Sequence, residues 1–187
     1  LDEYASTVDA VGKIKTEENS EALIVLASGR LKLADIRALE DFKGTLSLQS
    51  GSTLEVNVDA GANPEWNPNY VILPYTDESS GTFEKVGKGG LPVADGTLAD
   101  VNVLASEGSM TYKNATVGSL TVRRKDPAST DLVVQQVEGL LTVDGDLTAG
   151  AGNIFVLDVV TGKDMSGDPD YDPAALGPRK RAEIALI

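Results

Sequence analysis

Four aspartates near the C-terminus have the spacing best suited to metal chemistry: Asp164, Asp168, Asp170 and Asp172. The last three alternate along the chain, and alternate residues of an extended segment share a face. Carboxylate oxygens are the ligands that Ca²⁺ prefers, so calcium is the candidate cofactor. Pro173, however, stands where a helix-loop-helix calcium site needs glycine. We therefore predict an acidic, solvated surface loop, with a calcium site as the alternative and no other cofactor.

Trp66 is the only tryptophan, and it lies in a loop rich in proline and asparagine, residues 63–69. Prolines restrict such a loop, and asparagines favour turns. An indole held in this way can stack on a sugar or anchor a partner protein. Tyr75 is close enough in sequence to join it. Trp66 and Tyr75 are therefore the candidate ligand-binding residues, and the alternative is that the indole folds back over the end of the core.

The remaining chemistry is restricted by what the sequence lacks. The chain contains no His and no Cys, which excludes imidazole and thiol catalysis, disulfides and zinc held by those residues. Asp144 and Asp146 are the best candidate pair for carboxylate catalysis. They flank Gly145, and we predict that they lie in a solvated turn. The basic triplets at 123–125 and 179–181 are predicted to be solvated loops, with subunit contacts as the alternative. We therefore expect no enzymatic activity and assign no catalytic residue.

The overall charge limits the partners of the chain. Its 187 residues carry a formal net charge of −13 and are 41% hydrophobic, so the chain is apolar enough to fold and acidic enough to repel phosphates. Binding to nucleic acid and to anionic membrane surfaces is therefore not expected. No stretch approaches the roughly 20 apolar residues of a membrane-spanning helix, so membrane insertion by this segment is not expected either.

A short unit recurs along the chain: a glycine, any residue, Leu, a small or polar residue, and an aliphatic residue. It occurs at residues 29–33, 44–48, 118–122 and 139–143. Glycine permits a turn, and the alternation that follows is typical of a strand. Because the units repeat without long helices between them, we predict an all-β fold, a right-handed parallel β-solenoid, with a β-sandwich as the alternative. At about 20–25 residues per rung, the chain would form on the order of eight rungs.

The apolar residues of these strands are predicted to form one buried ladder on a single alternating face. Its predicted members are Leu31, Leu33, Leu46, Leu48, Leu54, Val56, Val58, Leu120, Val122, Leu141, Val143 and Leu147.

The domain organisation follows from the same repeats. We predict a single β-solenoid domain over residues 1–187, or a fragment of a longer rod. Residues 44–73 and 145–187 match weakly as an internal repeat, which is typical of stacked units with a shared core. Residues 1–22 are predicted to be irregular or to form a short helix. Ile36, Leu39 and Phe42 lie three apart and allow another short helix.

Three segments resemble a known family. These are residues 44–56 (GTLSLQSGSTLEV), residues 70–86 (YVILPYTDESSGTFEKV) and the pair of apparent strands within residues 110–122. The residues of these segments and their order along the chain resemble those of the passenger domains of bacterial autotransporters and of the related autotransporter-associated β-strand repeats. The resemblance covers residues 29–122 and restarts at residue 139. It implies a secreted β-solenoid rod displayed at the cell surface.

The patterns together predict a non-enzymatic structural protein of adhesin type, extracellular or on the bacterial cell surface. It would be a rod segment that presents loops for adhesion or assembly. Its partners would be a surface protein, a glycan or further copies of itself. A glycan-binding or glycan-cleaving module is the first alternative, and a subunit of a surface coat or filament is the second.

Overall fold

The computed structural model describes residues 7–10, 14–17, 21–62, 70–74, 80–94, 96–150, 153–158 and 183–186. These residues form fifteen strands and one short 3-10 helix, Ile36–Leu39. The strands are β1 (Thr7–Ala10), β2 (Ala22–Leu26), β3 (Gly29–Leu33), β4 (Gly44–Leu48), β5 (Ser52–Asn57), β6 (Tyr70–Pro74), β7 (Thr82–Val86), β8 (Gly90–Ala94), β9 (Asn102–Ala105), β10 (Ser109–Val117), β11 (Ser119–Val122), β12 (Val133–Val143), β13 (Leu147–Ala149), β14 (Asn153–Asp158) and β15 (Glu183–Leu186).

The strands make three sheets. The long sheet has the order β1-β3-β5-β7-β9-β11-β13, the first short sheet β2-β4-β6, and the second short sheet β14-β12-β10-β8 with β15 also beside β12. Every pair of these strands is parallel, whereas a β-sandwich of this class pairs its strands antiparallel. The predicted parallel β-solenoid is therefore confirmed and the sandwich alternative is wrong. The right-handed sense of the coil stays a prediction.

The solenoid has about 5 turns, fewer than the eight rungs expected from chain length. Seven strands lie side by side in the long sheet. The expectation was too high because it assigned every residue to a rung of fixed length. The segment 123–132, for example, separates β11 from β12 without adding a strand.

Side chains that point into the solenoid stack from one turn to the next. In the long sheet the register places these residues in one column: Leu31, Leu54, Phe83, Val103, Leu120 and Leu147. Ten of the twelve predicted ladder residues are buried, and the other two, Leu31 and Leu147, are partly buried against them. The prediction of one face was wrong, because Leu46 lies in the first short sheet and Leu141 in the second. All three sheets face one interior, so alternation alone does not distinguish them.

Of the two short helices that the sequence allowed, one contains a strand in its described part and the other forms a single turn. Within residues 1–22, Thr7–Ala10 is a strand whose Val8 pairs with Leu31 of β3. Pairing with an available parallel neighbour overrides a weak helical spacing. Ile36–Leu39 does form a single 3-10 turn, which Asp35 caps by accepting a hydrogen bond from the Arg37 N–H at 2.8 Å.

The two copies of the internal repeat occupy different faces of the solenoid. Gly44–Leu48 is β4 of the first short sheet, whereas the aligned Leu147–Ala149 is β13 of the long sheet. Ser52–Asn57 is β5 of the long sheet, and the aligned Asn153–Asp158 is β14 of the second short sheet. Each copy consists of a strand, a corner and a second strand, but the second copy begins in the sheet in which the first copy ends. Their similarity therefore reflects a shared local pattern of strands and corners.

Tyr112 and Gln135 form a hydrogen bond inside this core. The Tyr112 hydroxyl donates to Gln135 Oε1 at 2.8 Å, both residues are 0% exposed, and burial raises the pKa of Tyr112. Replacing Tyr112 with Phe is expected to lower the free energy of unfolding by about 1–3 kcal/mol, because the buried amide oxygen loses its donor. Urea unfolding measures the loss. The double variant Tyr112→Phe/Gln135→Leu should lose less than the two single variants together, and additive losses would contradict the pairing.

Candidate functional site

A long loop lies over two corners of the solenoid. It comprises residues 123–132, connects β11 to β12, and we call it the corner loop. The first corner, residues 87–89, joins β7 to β8, and the second corner, residues 106–108, joins β9 to β10. Lys125 N donates to Ser106 O at 3.1 Å, and just after the loop Val134 N donates to Gly108 O at 2.9 Å. Both ends of the corner loop are therefore held against the second corner.

The middle of the corner loop is an ordered turn. Asp126 Oδ1 accepts a hydrogen bond from Ala128 N at 2.8 Å, and Asp126 O accepts one from Ser129 N at 3.0 Å. Ser129 Oγ in turn accepts a hydrogen bond from Asp131 N at 3.0 Å. Aspartate and serine side chains stabilise turns through such bonds to nearby backbone N–H groups. The loop therefore holds its side chains in a defined arrangement above the corners.

Lys85 joins the two corners from inside the solenoid. It points inward from β7 and is 0% exposed, and its Nζ donates to Gly87 O at 2.6 Å, Gly89 O at 2.5 Å and Glu107 O at 2.7 Å. The Glu107 carboxylate also accepts a hydrogen bond from Gly87 N at 3.0 Å. Burial lowers the pKa of Lys85 to about 8. The two corners under the loop are therefore joined by side-chain hydrogen bonds in addition to the sheet ladders.

A cleft of about 390 Å³ lies where the corner loop meets these corners. This volume is within the range of about 300–1,000 Å³ typical of small-molecule sites. Ser106, Ser129 and Leu132 are among the uncharged residues that line the cleft. Six charged residues also line the cleft: Lys88, Glu107, Arg124, Lys125, Asp126 and Asp131.

The charges in the cleft are balanced but not all paired. Lys88 Nζ lies 2.8 Å from Asp131 Oδ2, which lowers the pKa of Asp131 and raises that of Lys88. Lys125 Nζ lies 4.0 Å from Glu107 Oε2. Arg124 is the remaining cation, and its Nε is buried without a hydrogen-bond partner in the described part of the chain. The arrangement can bind a polar ligand by charge and hydrogen bonds.

All the residues predicted as ligand or metal sites fall outside the described ranges. These are Trp66, Tyr75, Asp164, Asp168, Asp170 and Asp172. The basic triplet at 179–181 lies outside them as well. Among the described residues, no group of three or more carboxylates could hold a metal ion. The Trp66 loop and the calcium alternative therefore stay predictions.

Asp144 and Asp146 are both exposed beside the turn between β12 and β13. The carboxyl partner of Asp144 is Asp100 at a neighbouring turn, and the hydrogen bond between them raises the pKa of Asp100. Asp100 adopts a left-handed backbone with φ 60°. Sequence reasoning missed Asp100, because no local pattern connects it with Asp144.

The basic triplet 123–125 was singled out from the sequence, but only as a solvated loop. Arg123 and Lys125 are exposed, whereas Arg124 is half-buried and lines the cleft. The corner residues Lys85 and Glu107 were missed altogether. Gly87 and Gly89, which flank Lys88, could have indicated them. A chain that turns at glycine leaves backbone carbonyls without a strand partner, and such carbonyls need a nearby donor such as a lysine.

Comparisons with protein-family models, with curated proteins and with solved structures found no match to this chain. The resemblance to autotransporter passenger domains therefore stays a prediction. Within the described residues, no helix is long and apolar enough to cross a membrane.

Proposed function

We propose that this chain is a non-enzymatic structural rod segment, secreted or displayed on a bacterial cell surface, that presents loops for adhesion. The observation that carries the proposal is the ordered corner loop, which leaves the stack of strands and borders a charged cleft. Loops on a rigid scaffold are where binding functions commonly lie. The partner would be a surface protein or a glycan.

Ion pairs on the outer surface of the long sheet connect successive strands, which is consistent with a rigid rod. Arg30 Nη1 lies 2.6 Å from Glu55 Oε2 and 2.6 Å from Glu84 Oε2, so one cation bridges β3, β5 and β7. Glu55 and Glu84 are directly opposite in register, and like charges in such positions destabilise a sheet unless a cation separates them. Ser106 Oγ also donates to Glu84 Oε1 at 3.1 Å.

The proposed extracellular location comes from the resemblance to autotransporter passenger domains, and charge and composition are compatible with it. A net charge of −13 keeps a rod soluble and separate from its neighbours. Stability without cysteine does not depend on the redox state of the surroundings. Both properties suit a protein that stands outside the cell.

Replacing residues 124–131 with a Gly/Ser segment of equal length tests the display role. Because the core does not include these side chains, the circular dichroism spectrum should be unchanged and the melting temperature should shift by only a few degrees. Adhesion of beads coated with the chain, measured on cell surfaces and on a glycan array, should be lost. The control is Asp144→Asn/Asp146→Asn, which changes an exposed turn elsewhere. Undiminished adhesion of the loop variant would contradict the proposal.

A second candidate, a subunit of a coat or filament, is favoured by one surface. Leu23 is 66% exposed and Val25 is 38% exposed on β2, which pairs only with β4 among the described strands. Exposed apolar residues on an edge strand favour association with another chain. Light scattering over a concentration series should then show growing mass that Leu23→Lys/Val25→Lys abolishes and Leu132→Lys does not. A constant monomer mass would exclude this candidate.

A further inference from the structure

Arg124 is the cation of the cleft whose side-chain donors have no hydrogen-bond partner among the described residues. Asp131 is occupied by Lys88 at 2.8 Å, and Glu107 lies near Lys125 at 4.0 Å. Within the described part of the chain the Arg124 side chain makes no hydrogen bond and no close ion pair, although its charge also acts on Asp131. Its Nε is buried, so the two terminal Nη groups are the donors that a ligand in the cleft can reach. A guanidinium presents a planar fork of donors that matches a carboxylate in two parallel hydrogen bonds. The cleft therefore contains one cation whose donors are free for a ligand.

We propose that the cleft binds a small ligand with a single carboxylate, which Arg124 holds, and with adjacent hydroxyl or ammonium donors that face Asp126 and Glu107. The proposal deepens the display role of the same loop and rests on it. A carboxylate needs a cation, and the donors beside it need acceptors. The lining supplies both, because the carboxylates of Asp126 and Glu107 line the same cleft as Arg124.

The charge balance favours one carboxylate over a polyanion. Three cations and three carboxylates line the cleft, and two of the cations already lie close to carboxylates. A second negative charge on the ligand would therefore face Asp126 or Glu107 without a free cation. The net charge of −13 adds a repulsive field for highly charged anions. An acidic sugar and an amino acid both have the required chemistry, because one carries hydroxyls and the other an ammonium group.

Titration calorimetry of the intact chain distinguishes these sources. Glucuronate is compared with glucose, which lacks the carboxylate, and L-alanine is compared with acetate, which lacks the ammonium group. We expect saturable binding of glucuronate or alanine, weaker binding of acetate and no binding of glucose. Absence of saturation for both glucuronate and alanine up to about 10 mM would overturn the proposal. Equal binding of glucose and glucuronate would overturn it as well.

Two matched variants locate the site. Arg124→Gln is expected to weaken binding about tenfold or more, because it removes the charge-assisted hydrogen bonds to the carboxylate. Arg123→Gln makes the same charge change at the neighbouring exposed position and should weaken binding by less than about twofold. Equal losses in both variants would contradict the assignment. If Arg124→Gln does not fold, NMR titration of the unaltered chain decides, because the amide resonances of Gly108 and Ser129 must move on binding.

The test of the ligand and the test of the display role can fail independently. If neither carboxylate binds but replacement of residues 124–131 abolishes adhesion, the ligand assignment is wrong and the display role stands. If a carboxylate binds at Arg124 and adhesion survives the loop replacement, the cleft is a site and the display role is wrong.

Discussion

Gly44→Ala is expected to lower the free energy of unfolding by about 4 kcal/mol, combining backbone strain with steric overlap. Gly44 begins β4 with φ +128°, a conformation that L-residues rarely adopt. An added Cβ would lie 2.0 Å from the carbonyl oxygen of Ala22 and 2.7 Å from its nitrogen. These are backbone atoms of the paired strand β2, so they can move only if the pairing of Ala22 with Gly44 is disturbed. Urea unfolding measures the effect.

Gly51→Ala is the matched control for Gly44→Ala. Gly51 also has a positive φ, +81°, but a Cβ there would meet nothing within 4 Å. Its cost should be only the strain of a left-handed backbone, about 1–2 kcal/mol. The difference between the two variants reports the close approach of β2 to β4 together with the additional backbone strain at φ +128°. Equal costs would show that the two strands are not packed as described.

Lys85→Met is expected to destabilise the fold by about 3 kcal/mol at neutral pH, because three backbone carbonyl groups at the corners lose a charged donor. The carbonyl oxygens belong to both corners beneath the cleft, at Gly87, Gly89 and Glu107. Methionine fills a similar volume but donates nothing, so the loss reports the hydrogen bonds rather than a cavity. Lys88→Met is the control, since Lys88 is exposed and should have a much smaller effect.

The difference in unfolding free energy between the unaltered chain and Lys85→Met should depend on pH, and the direction of that dependence follows from the pKa of Lys85. Burial lowers the pKa of Lys85 to about 8 from the ordinary lysine value of 10.5. Between these two pH values the unfolded chain keeps a proton that the folded chain has released. The unfolded state then binds more protons, so the free energy of unfolding rises with pH across this window. The stability of the unaltered chain minus that of Lys85→Met should therefore increase from pH 8 to pH 10.5. A difference that stays constant or falls would contradict the burial of Lys85.

The cleft shows how far residue types predict a site. The basic triplet around Arg124 stands out in an acidic sequence, yet sequence alone favoured a solvated loop. Lys85, Glu107 and Arg124 lie on or just after β7, β9 and β11, which are successive strands of the long sheet, so each is about one turn from the next. Each meets its neighbours only because successive turns stack. No local pattern encodes such contacts, because the length of each connection decides which corners align.

The sequence by itself determined the strands and the side chains that they bury. Alternation in β5 directs Leu54 and Val56 inward, and glycine before an alternating run marks a strand start, as at Gly29 and Gly44. These are local effects of backbone geometry and of the transfer of apolar side chains from water. They suffice for the class of fold and for most of the core.

Only the tertiary structure decided which sheet each strand enters and which polar groups meet. Leu46 and Leu54 belong to similar runs, yet they lie in different sheets because the corner between them turns the chain from one face to the next. Lys85 occupies an inward position that alternation reserves for an apolar residue, and it is tolerated because three carbonyls of two successive corners surround its ammonium group. Such a buried charge is stable only where its partners are already in place, and stacking of the turns brings them there.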